Sequence, residues 1–289
     1  MDWRRDGADW PNRQYSRFVR HRPHYWHVQE AGEGPLVLLL HGTGGATHSW
    51  RDVLPILAER YRVVALDLPG QGFTKMGARQ RCGLDPMSAD IAALMASEGL
   101  TPEAIVGHSA GAAIALRMVR HLPQPPRAIV GINAALANFA GMAGWLFPMT
   151  ARMLSLNPFT ASMFARFTAS EASVRALIGS TGSELSPEGL ALYHRLISDR
   201  HHVDAALTMM AQWTLDGLQA ELPDIDTPCL FITGARDHAV PPREARRAAE
   251  RMPRAELAEF PELGHLAHEE APGPVTEPIM AFLDRHIPR

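Results

Sequence analysis

The feature that most constrains the fold is a set of short, wholly apolar runs, LVLLL at 36–40 and AIVGI at 128–132 foremost, separated by longer stretches of helical character. A strand with one wet face alternates polar and apolar residues, whereas a run without alternation must be covered on both faces. Candidate strands fall at 25–29, 36–40, 63–66, 104–107, 128–132, 229–233 and 256–260. Candidate helices lie at 49–60, 85–97, 110–121, 243–251 and 275–286. Strand and helix taken in turn in this way predict an α/β protein with a mostly parallel, doubly wound sheet.

The alternation fails between about 135 and 215, which reads as helices only, with Pro148, Pro158 and Pro187 as breaks. Helices inserted into a sheet protein are most simply a cap over one end of it. The expected division is therefore 1–134 for the first part of the core, 135–215 for the cap and 216–289 for the second part of the core. The cap is rich in Met and aromatic residues, a composition suited to an adaptable apolar pocket. Phe139, Trp145 and Phe164 are its candidate substrate contacts. Residues 128–151 carry no charge, and 24 uncharged residues would be long enough to cross a membrane. Asn133, Asn138, Pro148 and several glycines interrupt that run, so a buried strand followed by the start of the cap is the preferred reading.

Composition excludes other classes. With 46% hydrophobic and 20% charged residues, 289 residues are enough for a large core and too apolar for a disordered chain. A net charge of -3 supplies no basic footprint, so nucleic acid is not expected as a partner. Cys82 and Cys229 form no disulfide framework, and MDWRRDGADW lacks the apolar centre of a signal peptide, so a cytoplasmic location is expected.

Chemistry is concentrated at strand ends. Gly107-His108-Ser109-Ala110-Gly111 stands between a strand and a helix. A chain that turns so sharply strains its central residue, needs small neighbours, and lifts the serine hydroxyl above the sheet. Serine is a weak nucleophile until a base takes its proton, and the base needs a carboxylate to orient it. Asp237, in GARDHAVPP, follows the strand CLFIT, and His265, in PELGH, follows ELAEF. Singly, Asp237 could cap a loop and His265 could be a surface histidine. Together with Ser109, at three strand ends on the same edge of a parallel sheet, they form a candidate triad. The loop His41-Gly42-Thr43-Gly44-Gly45 follows LVLLL, and the backbone N–H groups of Thr43 and Ala110 are the candidate oxyanion hole. His41 is expected to orient that loop and Asp67 to fix the DLPGQG turn. His21, His24, His27, His201 and His202 are expected to be solvated, and no metal site is expected from them or from His265 and His268.

With these residues in place the chain resembles the α/β-hydrolase superfamily over nearly its whole length, through HGTGGATHSW, DLPGQGF, GHSAG, GARDHAVPP and GHLAHEE. The resemblance implies the α/β-hydrolase fold, with a helical cap inserted after the sixth strand. Gln71 stands where the superfamily usually shows His, a departure that bears on pocket details only. Ser109 at the elbow argues against haloalkane dehalogenases and epoxide hydrolases, which carry Asp there. DWPNRQYSRFVR, HGTGGATHSWRDV and GHSAGAAIALRM further resemble the BchO-type accessory proteins of magnesium chelatase in bacteriochlorophyll biosynthesis.

The resulting expectation is a cofactor-free serine hydrolase of esterase type acting on an apolar ester or acyl substrate, linked to tetrapyrrole synthesis. Chelatase subunits and peripheral contact with a membrane are further expected partners. Two alternatives share the sequence. One is a tetrapyrrole-binding or chelatase-assisting protein with a secondary triad; the other is a perhydrolase or C–C bond hydrolase.

Overall fold

In the computed structural model, which describes residues 1–137 and 170–288, the apolar runs pair into one eight-stranded sheet. Its strands are β1 (Ser16–His21), β2 (His24–Ala31), β3 (Leu36–Leu40), β4 (Arg62–Leu66), β5 (Ala104–His108), β6 (Ala128–Ile132), β7 (Cys229–Gly234) and β8 (Ala255–Phe260). They lie side by side in the order β1-β2-β4-β3-β5-β6-β7-β8. β2 runs antiparallel to both β1 and β4, and every other pair is parallel. The described helices preceding β6 are α1 (Trp3–Asp6), α2 (Val53–Ala58), α3 (Leu84–Ser97) and α4 (Ala110–Met118). Between β6 and β7 come α5 (Glu171–Ser180), α6 (Pro187–Ile197), α7 (Arg200–Gln212) and α8 (Asp216–Glu221). The last three are α9 (Pro242–Arg251), α10 (Ala267–Glu270) and α11 (Pro272–His286).

The lack of alternation has the expected cause. Leu36, Leu38 and Leu40 pack on one face with Ile91 and Met95 of α3 and Ile114 of α4. Val37 and Leu39 pack on the other with Leu54 and Leu57 of α2 and Ile279 and Phe282 of α11. Each such side chain removed from water contributes about 1.5–3 kcal/mol, so both faces favour this arrangement. The strand order also positions the site. β4 lies on one side of β3 and β5 on the other, which opens a crevice at the carboxyl ends of β3 and β5, where ligands bind in doubly wound sheets.

Several details depart from expectation. β1 escaped notice because SRFVRH mixes charged and apolar residues, as an edge strand with only one neighbour can. The expected helix at 49–60 is a 3-10 turn, Thr47–Trp50, followed by α2, because Pro55 has no N–H and is tolerated only within a first turn. Pro187 starts α6 rather than breaking a helix, with Ser186 accepting the Gly189 N–H. His24, His27 and His202 are buried, not solvated. β2 is covered on both faces: His27 packs against Trp3, Phe18 and Phe73, and His24 bonds Asp90 of α3. The uncharged run begins as β6, and no helix among the described residues is long and apolar enough to cross a membrane.

Candidate active site

The turn from β5 into α4 has no room for side chains. A Cβ on Gly107 would stand 2.3 Å from the Gly111 carbonyl oxygen, and one on Gly111 would stand 2.1 Å from that of Leu40. Between these glycines Ser109 takes φ 52° and ψ -116°, a conformation costly for any residue with a Cβ. Strand β6 holds it there. The Ser109 N–H donates to the Ile132 carbonyl at 2.9 Å, and the Ala135 N–H donates to the Ser109 carbonyl at 3.1 Å. Ser109 also caps α4, whose N-terminal N–H groups favour negative charge nearby.

Asp237 and His265 meet directly. The Nδ1–H of His265 donates to Asp237 Oδ2 at 2.8 Å, and the Asp237 carboxylate is only 5% exposed as a residue. Its other oxygen accepts the N–H groups of Ala239 and Val240, each at 2.8 Å. A carboxylate held by donors on both oxygens stays oriented, and it fixes the imidazole tautomer that presents Nε2 as an acceptor. No hydrogen bond joins the Ser109 hydroxyl to His265 among the described residues; such bonds commonly tighten only with substrate bound. His108, beside Ser109, joins the two loops through its Nε2–H to the His265 carbonyl at 2.9 Å. Burial pushes the His108 pKa well below its ordinary value, and the neighbouring His268 and His265 act in the same direction, so it serves as a neutral brace.

The HGTGG loop lies against the elbow, since a Cβ on Gly42 would be 3.0 Å from that of Ser109. Among the described residues, neither the Thr43 nor the Ala110 N–H has an acceptor. His41 orients the loop as expected, donating from Nδ1 to the Gly42 carbonyl and accepting the Leu68 N–H at Nε2. Asp67 fixes the DLPGQG turn by accepting the N–H groups of Thr47 and Phe73 and the Nδ1–H of His27. Burial pushes this carboxyl up, but the His27 ring and these donors outweigh it and hold its pKa at about 2.

Sequence reasoning overlooked several supports. Gln71 accepts the Gly44 N–H at 2.7 Å, so its departure from the usual His bears on the HGTGG loop as well as on pocket details. His202 of α7 donates to the Gly44 carbonyl at 3.0 Å and accepts the Gly72 N–H. Burial lowers the His202 pKa to about 4, which keeps that accepting nitrogen unprotonated. Glu270 accepts the Gly264 N–H and Ser183 the Leu266 N–H, which brackets His265 on both sides. Beneath them Glu269 binds Arg51 at 2.5 Å and the Tyr193 hydroxyl at 2.7 Å, while Ser49 bonds His268. The signal for these supports lies in GHLAHEE itself, whose spacing puts the carboxylates of Glu269 and Glu270 about one turn beyond His265. Phe139, Trp145 and Phe164 lie outside the described residues. Among those described, no three His, Cys, Asp or Glu side chains are grouped to hold a metal ion.

A family model described as alpha/beta hydrolase fold matches residues 35–272. The chain is 44% identical over 286 residues, 98% of its length and 100% of the relative's, to a magnesium-chelatase 30 kDa subunit of Rhodobacter capsulatus. It is 28% identical to a pimeloyl-[acyl-carrier protein] methyl ester esterase of Nitrosomonas europaea, covering 83% of this chain and 92% of that one. Among solved structures, an alpha/beta hydrolase fold protein from Burkholderia ambifaria superposes with a TM-score of 0.77 at 23% identity, covering 92% of this chain and 97% of that one.

Proposed function

Because the chain belongs to the α/β hydrolase fold family, we propose that it is a serine hydrolase of esterase type whose substrate is an apolar ester or related acyl compound. The observation that carries the reading is the pair of buried Asp237 and partly buried His265, which shares one sheet edge with a strained serine elbow and its adjoining glycine loop. In this mechanism Ser109 attacks the carbonyl carbon while His265 Nε2 takes its proton. Asp237 stabilises the imidazolium, and the Thr43 and Ala110 N–H groups receive the oxyanion. His265 then returns the proton to the leaving alkoxide, and water releases the acyl group by the same route.

We take the insertion 135–215, between core segments 1–134 and 216–289, as a cap, of which the described part is α5, α6 and α7. The contacts of His202 and Met209 with the Gly44 and Thr43 loop support that placement. With purified protein, Ser109→Ala is expected to lower turnover of a short p-nitrophenyl ester by several orders of magnitude. Equal turnover in both proteins defeats the assignment.

A second reading is favoured by the relative named as a magnesium-chelatase subunit, which matches from end to end. In it the protein acts in tetrapyrrole synthesis, either on a tetrapyrrole ester or as a partner of chelatase subunits. Protoporphyrin titrated against the protein is then expected to quench tryptophan emission at micromolar concentration, Trp213 of the insertion being one reporter. Absent quenching counts against tetrapyrrole binding and leaves the esterase reading intact.

A further inference from the structure

The turn that follows β6 touches all three loops of the candidate site, yet none of its side chains has a place in the mechanism above. Its backbone holds the nucleophile, through Ser109 N–H to the Ile132 carbonyl and Ala135 N–H to the Ser109 carbonyl. Its side chain holds the other two loops. The Asn133 Nδ2 amide donates to Asp237 Oδ2 at 2.7 Å and to the Gly264 carbonyl, next to His265, at 3.3 Å. Both partners are acceptors only, so the NH2 group must face them. The Asn133 N–H in turn donates to the Ile232 carbonyl of β7 at 2.7 Å. Asn133 is 2% exposed and has φ 46°, a left-handed conformation that Asn tolerates better than most residues with a Cβ. That conformation turns the chain back so that Ala135 reaches Ser109.

We propose that Asn133 is a positioning residue for the hydrolytic reaction: its amide sets Asp237 against His265 while its backbone turn fixes Ser109. The inference rests on the serine-hydrolase reading of the site. Chemically, the amide shares Asp237 Oδ2 with the imidazole. A neutral donor there withdraws part of the negative charge that His265 would otherwise feel, which limits the pull of Asp237 on the imidazolium. Asn133 therefore restrains the basicity of His265 as well as its orientation, and an aspartate of the same shape would reverse the electrostatic effect.

Two variants separate the side chain from the backbone. Asn133→Gly keeps access to positive φ and removes the amide; Asn133→Asp keeps shape and φ and sets a second carboxyl against Asp237, where the two share one proton until rising pH ionises both and adds negative charge beside His265. Wild type, both variants and Ser109→Ala are compared for kcat, KM and the pH dependence of kcat/KM on a short p-nitrophenyl ester, with melting temperature as the check on folding. For Asn133→Gly, kcat is expected to fall about ten- to a hundredfold, the loss of one hydrogen bond to a charged group, with KM changed less than twofold. The acid limb of kcat/KM is expected to move to higher pH in both variants. Wild-type kcat with an unmoved limb overturns the proposal, because a purely structural role would alter stability without moving the limb. If Asn133→Gly does not fold, Asn133→Asp decides by the same two readouts. Absence of Ser109-dependent turnover in the wild type defeats the reading of the site, whereas Ser109-dependent turnover unaffected at Asn133 defeats this inference alone.

Discussion

Replacing Asp237 with Asn tests the acid–base pair most sharply, because the structure dictates how the amide must sit. All four contacts to the carboxylate come from donors: Ala239 and Val240 N–H on Oδ1, His265 Nδ1–H and Asn133 Nδ2–H on Oδ2. An amide offers one accepting oxygen and one donating NH2, so in either orientation its NH2 meets two donors. The backbone N–H groups cannot change their nature, but the imidazole can change tautomer. The favoured arrangement therefore turns the oxygen to Ala239 and Val240 and the NH2 to His265. The ring then accepts at Nδ1 and carries its proton at Nε2, where it cannot receive the proton of Ser109. Loss of the correct tautomer in a serine triad costs about 10⁴-fold in kcat, or about 5 kcal/mol. The assay is kcat for a short p-nitrophenyl ester between pH 6 and about 9, alongside the melting temperature. KM is expected to stay within about threefold, since Asp237 lies behind His265 and is not placed to touch substrate. A folded Asp237→Asn protein that loses less than about tenfold in kcat would show that Asp237 does not set the His265 tautomer.

Other predictions follow from the supports of the site. Gln71→Ala leaves the Gly44 N–H and His202→Ala the Gly44 carbonyl without its partner, a cost of about 1–3 kcal/mol, and each should lower kcat about five- to a hundredfold with little change in KM. Acting on the two peptide groups that flank one residue, the two changes should combine to less than the product of their separate effects, as a double-mutant cycle on kcat would show. Asp67, held at about 2 against about 3.9 in an unfolded chain, contributes about 2 kcal/mol of stability above pH 4. That contribution is lost as pH falls from about 4 towards 2, so urea unfolding across this window should show a steeper acid loss in wild type than in Asp67→Asn.

What could be read in the sequence was whatever depends on local pattern. LVLLL and AIVGI announced strands buried on both faces, and the residues just beyond such strands were where functional side chains were to be sought. Ser109, Asp237 and His265 were placed by that rule, and Asn133, one residue past AIVGI, satisfies it too. It was read only as a polar interruption of an uncharged run. Gln71 is visible in the sequence as a departure, but its partner is not, because its contact with Gly44 joins positions 27 residues apart through a loop whose shape no pattern encodes. The same holds for His24, His27 and His202, whose burial depends on which elements pack over them. β1 was illegible for a different reason, since an edge strand with one neighbour has no need of an unbroken apolar run.

If Ser109 is an activated nucleophile, it can be detected as one before any substrate is known. Purified wild type and Ser109→Ala, matched in melting temperature, are incubated with a fluorophosphonate probe, which forms a covalent bond only with an activated serine. The label is then located by peptide mass spectrometry. Stoichiometric labelling of Ser109 is expected in wild type and none in the variant. A wild-type protein that stays unlabelled, or equal labelling of both proteins, contradicts the activation of Ser109.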